Sequence, residues 1–366
     1  MKLICAPLAA ISHPAFRVVL EQFGGCDEYF TEMIHAPSLV TGGQFERYYV
    51  DPQPAPQKIV WQLTGPDAPR LAAAAARVLL IGGIGVDINM GCAAPDIVRS
   101  GAGIAWMLKP RAETQAMLCA VRDAIREGES ARCPLRFSVK LRLGEEHFSE
   151  HDFFSFCDML ADCGVQLLTL HPRTRKEKYR TKARWQYVEA LAVRMHERGV
   201  RVYLNGDVSD YQSFYAAQSA APHADGIMIG RAAVVRPWIF ALLRAACGER
   251  VAMPLPSGDA SSERAVLAVP AVRASDEPGA APVQEYPGYK INLEQTAYLF
   301  IDALQQYQPE AFWKTRARRF FSYYCQNLSF AHYAETQFAH AHNMVDLRAR
   351  IADYFIRVPE DREKSW

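Results

Sequence analysis

Leu167-Leu168-Thr169-Leu170-His171-Pro172-Arg173-Thr174 is a short apolar run that stops on an imidazole, a proline and a guanidinium. A run of this length closed by a turn signal reads as a buried strand, with reactive side chains at its carboxyl end. Working outward, seven comparable runs stand at Leu3 to Ala6, Glu28 to Thr31, Ile59 to Leu63, Val86 to Asn89, Phe137 to Lys140, Val202 to Asn205 and Gly226 to Ile229. Helix-like stretches separate them. Asp67 to Leu80 is alanine-rich, Arg111 to Glu127 carries Met117, Leu118, Val121 and Ile125 at helical spacing, and Asp152 to Cys163 repeats the pattern. Eight strands alternating with helices over roughly 250 residues predict a closed (β/α)8 TIM barrel, an α/β fold, rather than an open doubly wound sheet.

The barrel is expected to occupy residues 1–248. From Glu249 to Pro287 alanine, proline and serine dominate with little periodicity, so 249–287 reads as a flexible linker or inserted loop. Leu293 to Gln306, Ala311 to Cys325 and Met344 to Tyr354 again space apolar residues three and four apart, which predicts a small all-helical domain over 288–366.

Composition narrows the function. The chain is half hydrophobic, and it lacks both a signal-like amino terminus and the roughly 18-residue apolar run of a membrane span, so a cytoplasmic protein is expected, as a monomer. Its nine cysteines scatter from Cys5 to Cys325 with no CxxC pair, which suggests neither a disulfide framework nor a metal site. Net charge is only +1, yet Arg173, Arg175, Lys176, Lys178, Arg180, Lys182 and Arg184 fall within twelve residues against the single acid Glu177. A second knot, Lys314, Arg316, Arg318 and Arg319, is interleaved with Trp313, Phe320 and Tyr323, as on an RNA-facing helix or a solvated helix with an aromatic core face.

Barrel enzymes carry their chemistry at the carboxyl ends of the strands. Here those ends are Ala6-Pro7-Leu8, Gln62, Asn89-Met90-Gly91-Cys92, Lys140 with Arg142, His171-Pro172-Arg173-Thr174, Asn205-Gly206-Asp207 and Gly230-Arg231. One polar strand end is routinely structural; this many together point to a site. Gln, Lys, His and Asn offer donors to a planar, carbonyl-rich ring, and Gly206 and Gly230-Arg231 lie where such barrels bind phosphate. FMN has both parts.

With Phe16-Arg17, Gln62-Leu63-Thr64-Gly65, Arg175, Ile227-Met228-Ile229 and Pro237-Trp238, these motifs span nearly the whole barrel, and the chain resembles the tRNA-dihydrouridine synthases. The resemblance implies FMN-dependent reduction of the uracil 5,6 double bond in tRNA, with NADPH or NADH as electron donor. It implies that Cys92 is the proton donor, since a thiol of ordinary acidity is mostly protonated at neutral pH. It also implies that Ala6, Pro7, Leu8, Gln62, Lys140, His171, Asn205, Gly206, Asp207, Gly230 and Arg231 hold the flavin. Asn89 and Arg173 would face the base, with Arg175 as an alternative to Arg173, and Arg175, Lys176, Lys178 and Arg180 would meet RNA phosphates. Asp207 could instead cap the next helix. The chain departs from the family pattern at Ala93, where proline is usual, at Ala10-Ile11-Ser12-His13, and at Ala232. Two competing readings are a flavin barrel acting on a free pyrimidine or other small molecule, and a tRNA-binding protein without turnover.

Overall fold

The computed structural model describes residues 1–128, 135–177, 180–249, 251–254, 264–267, 271–273, 283–285 and 290–365. Packing divides the chain into two compact units. The first comprises Met1–Ala9, Asp27–Val208 and Ala216–Ile229; the second comprises Ala10–Cys26, Ser209–Tyr215 and Gly230–Trp366. This division cuts across the linear boundaries at 248 and 288, because early segments of the chain pack with late ones.

Eight parallel strands form the barrel of the first unit, β1 (Lys2–Cys5), β2 (Glu28–Phe30), β3 (Ile59–Thr64), β4 (Gly85–Met90), β5 (Arg136–Arg142), β6 (Leu167–His171), β7 (Arg201–Asn205) and β8 (Gly226–Ile229), and a two-residue strand, Ile34–His35, pairs with the end of β3. Each pairs with the next, and β1 pairs with both β2 and β8, so the sheet closes into a TIM barrel. The eight sequence-read strands all lie within these spans to one or two residues.

Strands buried on both faces need apolar residues outside and a filled interior. From alternate inward positions, Ile4, Ala6, Phe30, Val60, Leu167, Tyr203 and Met228 pack together. At the amino-terminal end of the barrel, Glu28 accepts from Arg136 Nη1 and Nη2 (2.7 and 2.5 Å), from Lys2 Nζ (2.7 Å) and from Tyr203 OH (3.0 Å). Burial pushes this carboxyl's pKa up, but the Arg136 and Lys2 charges outweigh it and bring it to about 2. The group stays ionised as a fixed polar plug.

The intervening helices α2 (Ala68–Leu79), α3 (Arg111–Gly128), α4 (Glu150–Asp162) and α5 (Gln186–His196) follow α1 (Pro14–Gln22) in the chain and precede α6 (Tyr211–Ala220). Their starts follow from capping. Asp67 accepts from Arg70 N and Ser149 from Asp152 N, satisfying first-turn amides. Leu71, Ala74, Ala75 and Val78 then form the buried stripe of α2.

In the second unit, α1 joins α7 (Arg231–Val235), α8 (Ile239–Ala246), α9 (Leu293–Tyr307), α10 (Glu310–Tyr324), α11 (Ala331–Ala339) and α12 (Met344–Arg357). Phe300 stacks on Phe320 at 3.7 Å between ring centroids, and His13 and Phe16 of the amino-terminal segment pack on these two rings. On α10, Arg316 and Phe320 are buried, whereas Lys314, Arg318 and Arg319 are exposed. The aromatic residues of that helix thus serve partly as core. Within the stretch expected as a linker, Val251–Pro254 pairs antiparallel with Arg264–Leu267, and Ala271–Arg273 with Val283–Glu285; the rest of 255–289 lies outside the described residues. No described helix is long and apolar enough to cross a membrane.

Candidate active site

Side chains on one face of a strand recur every second residue, so Asp87 and Asn89, Ser138 and Lys140, and Thr169 and His171 share the barrel interior. Hydrogen bonds bear out the alternation. Ser138 Oγ donates to Asp87 Oδ1 (2.7 Å), Gln62 Nε2 donates to Asp87 Oδ2 (2.8 Å), and Asn89 Nδ2 donates to Gln62 Oε1 (2.9 Å). Asn89 Oδ1 then accepts from the backbone N–H groups of Gly91 (3.2 Å) and Cys92 (2.9 Å). A buried carboxylate therefore sets the orientation of two amides in succession, and the second holds the turn that carries Cys92.

A second contact fixes that turn from outside the strand. Cys92 O accepts from Ile104 N (3.0 Å), and Gly103 lies so close that an added Cβ would stand 2.6 Å from Cys92 O and 3.2 Å from Cys92 Cβ. Gly103 also has φ +62, a conformation that favours glycine. Gly103→Ala is expected to displace Cys92 and to destabilise the fold by about 1–3 kcal/mol. Thermal melts together with initial rates, in which kcat falls more than KM rises, check this.

Lys140 stands beside Asn89 in the strand register and is half-buried, with no hydrogen bond or ion pair among the described residues. Burial and the nearby Arg142 charge lower its ammonium pKa to about 8, with Asp87 and Cys92 acting in the opposite direction. Thr169, its register partner on β6, has a fully buried hydroxyl with no hydrogen-bond partner among the described residues. Unfilled donor capacity at the inner end of a polar mouth fits a carbonyl-bearing planar ligand such as a flavin ring. Gly206 (φ +123) leaves a cradle that a Cβ would fill, 3.0 Å from His171 Cδ2 and 3.2 Å from Ala183 Cβ. Asn205 Nδ2 donates to Met228 O (2.9 Å), tying β7 to β8. Ala6 is buried, Pro7 and Leu8 are half-buried, and Ala6 N continues the ladder by donating to Ile229 O (2.9 Å).

Other expected site residues are committed to protein partners. Gln62 is wholly buried in the amide chain. Arg173, 1 % exposed, pairs with Asp207 through Nη2 at 2.6 and 2.7 Å, donates through Nε to Thr181 O (2.7 Å), and donates through Nη1 to His171 Nε2 (2.8 Å). Because guanidinium only donates, His171 Nε2 is the acceptor in this contact. Asp207 also accepts from Ala183 N (2.6 Å), so it clasps the 173–184 loop; the cap of α6 is Asp210, which accepts from Ser213 N (2.8 Å). Asp207 is therefore not the helix cap.

The basic strip is largely neutralised within the fold. Arg175 pairs with Glu145 (2.6 Å), Lys176 with Glu146 (2.7 Å) and Arg184 with Glu177 (2.7 Å). Arg180 and Lys182 are exposed and carry no ion pair among the described residues. Lys178 lies outside the described residues. In the second unit, half-buried Gly230 precedes the five-residue α7, which Arg231 opens.

A family model described as dihydrouridine synthase matches residues 4–277. The chain belongs to the dihydrouridine synthase family. Similar proteins include "Probable tRNA-dihydrouridine synthase 1" of Synechocystis sp., 28 % identical over 65 % of this chain and 63 % of that protein. They also include tRNA-dihydrouridine synthase B of Pseudomonas putida, at 28 % over 65 % and 66 %, and of Klebsiella pneumoniae, at 31 % over 65 % and 70 %. The chain spans just under two thirds of the length of the Synechocystis and Pseudomonas relatives. The family match covers the last two residues of β1, the other seven barrel strands and the Cys92 turn.

Asp87, Ser138 and Thr169 were not singled out by sequence reasoning. Each stands two residues before a recognised strand-end residue, so the period of two was a signal that could have found them.

Proposed function

We propose that this chain reduces the 5,6 double bond of uridines in tRNA to dihydrouridine, with FMN as the flavin, NADPH or NADH as electron donor, and Cys92 as proton donor. The observation that carries the reading is a half-buried thiol pinned by Asn89 and Gly103 at the carboxyl mouth of a closed barrel, next to a Lys140 with no partner among the described residues. When bound, FMN supplies a hydride for one carbon of the double bond. Cys92 Sγ gives its proton to the other carbon; the thiol's S–H bond breaks, the new C–H bond forms, and the resulting thiolate regains a proton from solvent.

Lys140 would hold the flavin through its ammonium group, whose positive charge favours an anionic reduced ring. The Asn205–Gly206 turn and the Ala6–Leu8 backbone fit the remaining contacts, and the resemblance assigns phosphate to Gly230 and Arg231. Gln62 and Asn89 serve in this reading by orienting the Cys92 turn, and Arg173 by bracing the loop that carries Arg180 and Lys182. Those two cations are suited to phosphates that flank an extruded base. Affinity for tRNA should weaken as salt rises, and Arg180→Ala and Lys182→Ala should each flatten the log–log salt slope by about one. Filter binding over a salt series measures it.

The reaction itself is tested by reducing the flavin of the purified protein with NADPH under argon and then adding unmodified tRNA or free uridine. Rapid return of flavin absorbance with tRNA alone is expected. Return with free uridine, or with neither, would overturn the proposed substrate.

A further inference from the structure

Beyond anchoring the Gln62–Asn89 amide chain, Asp87 takes no part in the proposed chemistry, yet it is a fully buried carboxylate in the middle of the barrel. Its two hydrogen bonds come from neutral donors, Ser138 and Gln62, and it makes no ion pair among the described residues. Buried charges are ordinarily paired, so the location of its counter-charge matters. The register places Ser138 opposite Asp87, which puts Arg136 and Lys140 on either side along the same inward face of β5. Arg136 is consumed by Glu28 with two hydrogen bonds. Arg142, further along β5, gives its Nε to Gly91 O (3.0 Å) and Nη1 to Thr174 O (3.1 Å). Among the described residues, Lys140 alone of these cations has no committed acceptor.

We infer that Asp87 is a positioning residue that acts through Lys140, its buried carboxylate keeping the lysine ammonium charged at the barrel mouth. The inference rests on the proposed function only in giving that charge a purpose, the holding of an electron-rich ring. The charged groups that bear on the pair are Arg136 on Asp87, and Arg142 and Cys92 on Lys140; Glu28 and Tyr203 act on Arg136. Burial and Arg142 work against the ammonium, while Asp87 and then Cys92 work for it. Burial likewise raises the Asp87 carboxyl to about 6, against the Ser138 and Gln62 hydrogen bonds and the Lys140 and Arg136 charges. The carboxylate is therefore mostly ionised where the lysine needs it.

Asp87→Asn removes the charge and keeps the shape. The new amide can accept from Gln62 and donate to the Ser138 hydroxyl, which already lies 3.4 Å from Val86 O as an alternative acceptor. Trace acetylation of the full-length purified protein with acetic anhydride across a pH series, read peptide by peptide, reports the half-labelling pH of Lys140. In Asp87→Asn that pH should fall by about one unit, while the exposed Lys182 keeps its profile as the internal standard. Should Asp87→Asn fail to fold, Asp87→Ser carries the same expectation. An unchanged Lys140 profile, or a shift shared by Lys182, overturns the inference. Labelling requires neither flavin nor tRNA, so its outcome stays separate from that of the proposed reaction.

Discussion

Cys92→Ala is expected to lower dihydrouridine formation by roughly 10²- to 10⁴-fold, the range over which a positioned acid accelerates proton transfer. Flavin content and tRNA affinity should stay near those of the parent, because the turn is held through the Cys92 backbone N–H and carbonyl rather than its side chain. Single-turnover assays with pre-reduced flavin and saturating tRNA isolate the step. A rate within a factor of two of the parent would remove Cys92 from the proton-donor role. Serine at this position keeps a hydroxyl of far weaker acidity than a thiol, so Cys92→Ser should restore little.

Asp207→Ala is expected to be the most damaging of the loop substitutions. It strips the carboxylate from Arg173, whose guanidinium is 1 % exposed, and takes the acceptor from Ala183 N. Leaving a buried charge without its partner costs about 3–5 kcal/mol. Asp207 also sits at φ +60, which asparagine tolerates better than alanine, so Asp207→Asn should be the milder change. Urea melts of the pair check the order. Equal stability in Asp207→Ala and the parent would show that the clasp contributes nothing.

The barrel was legible because each of its strands is a short apolar run ending in a turn residue, and because helices of ordinary length separate them. The polar mouth was legible for the same reason, since strand ends such as Gln62, Asn89, Lys140 and His171 stand out against apolar runs. What those side chains touch was not. The acids that neutralise Arg175 and Lys176 lie thirty residues earlier, on the loop after β5, and a local charge count cannot see them. Arg173 reads as an available cation until Asp207, thirty-four residues later, closes on it. Helix α11, with its mixed sequence AHYAETQFA, lacks the apolar stripe that revealed α9, α10 and α12. The packing of α1 with α9 is a long-range partnership with no local signature.

The departure at Ala93 also finds a physical setting. Proline would favour an extended conformation in the residue before it, Cys92. Here the turn is fixed instead by Asn89 from within the barrel and by the close approach of Gly103.

The most direct measurement is nucleoside analysis, by mass spectrometry, of unmodified tRNA incubated with the purified protein, FMN and NADPH. Expected is a nucleoside two mass units above uridine that co-elutes with dihydrouridine, absent without the nicotinamide donor and lost with Cys92→Ala. Unaltered uridine after complete oxidation of the donor would contradict the proposal.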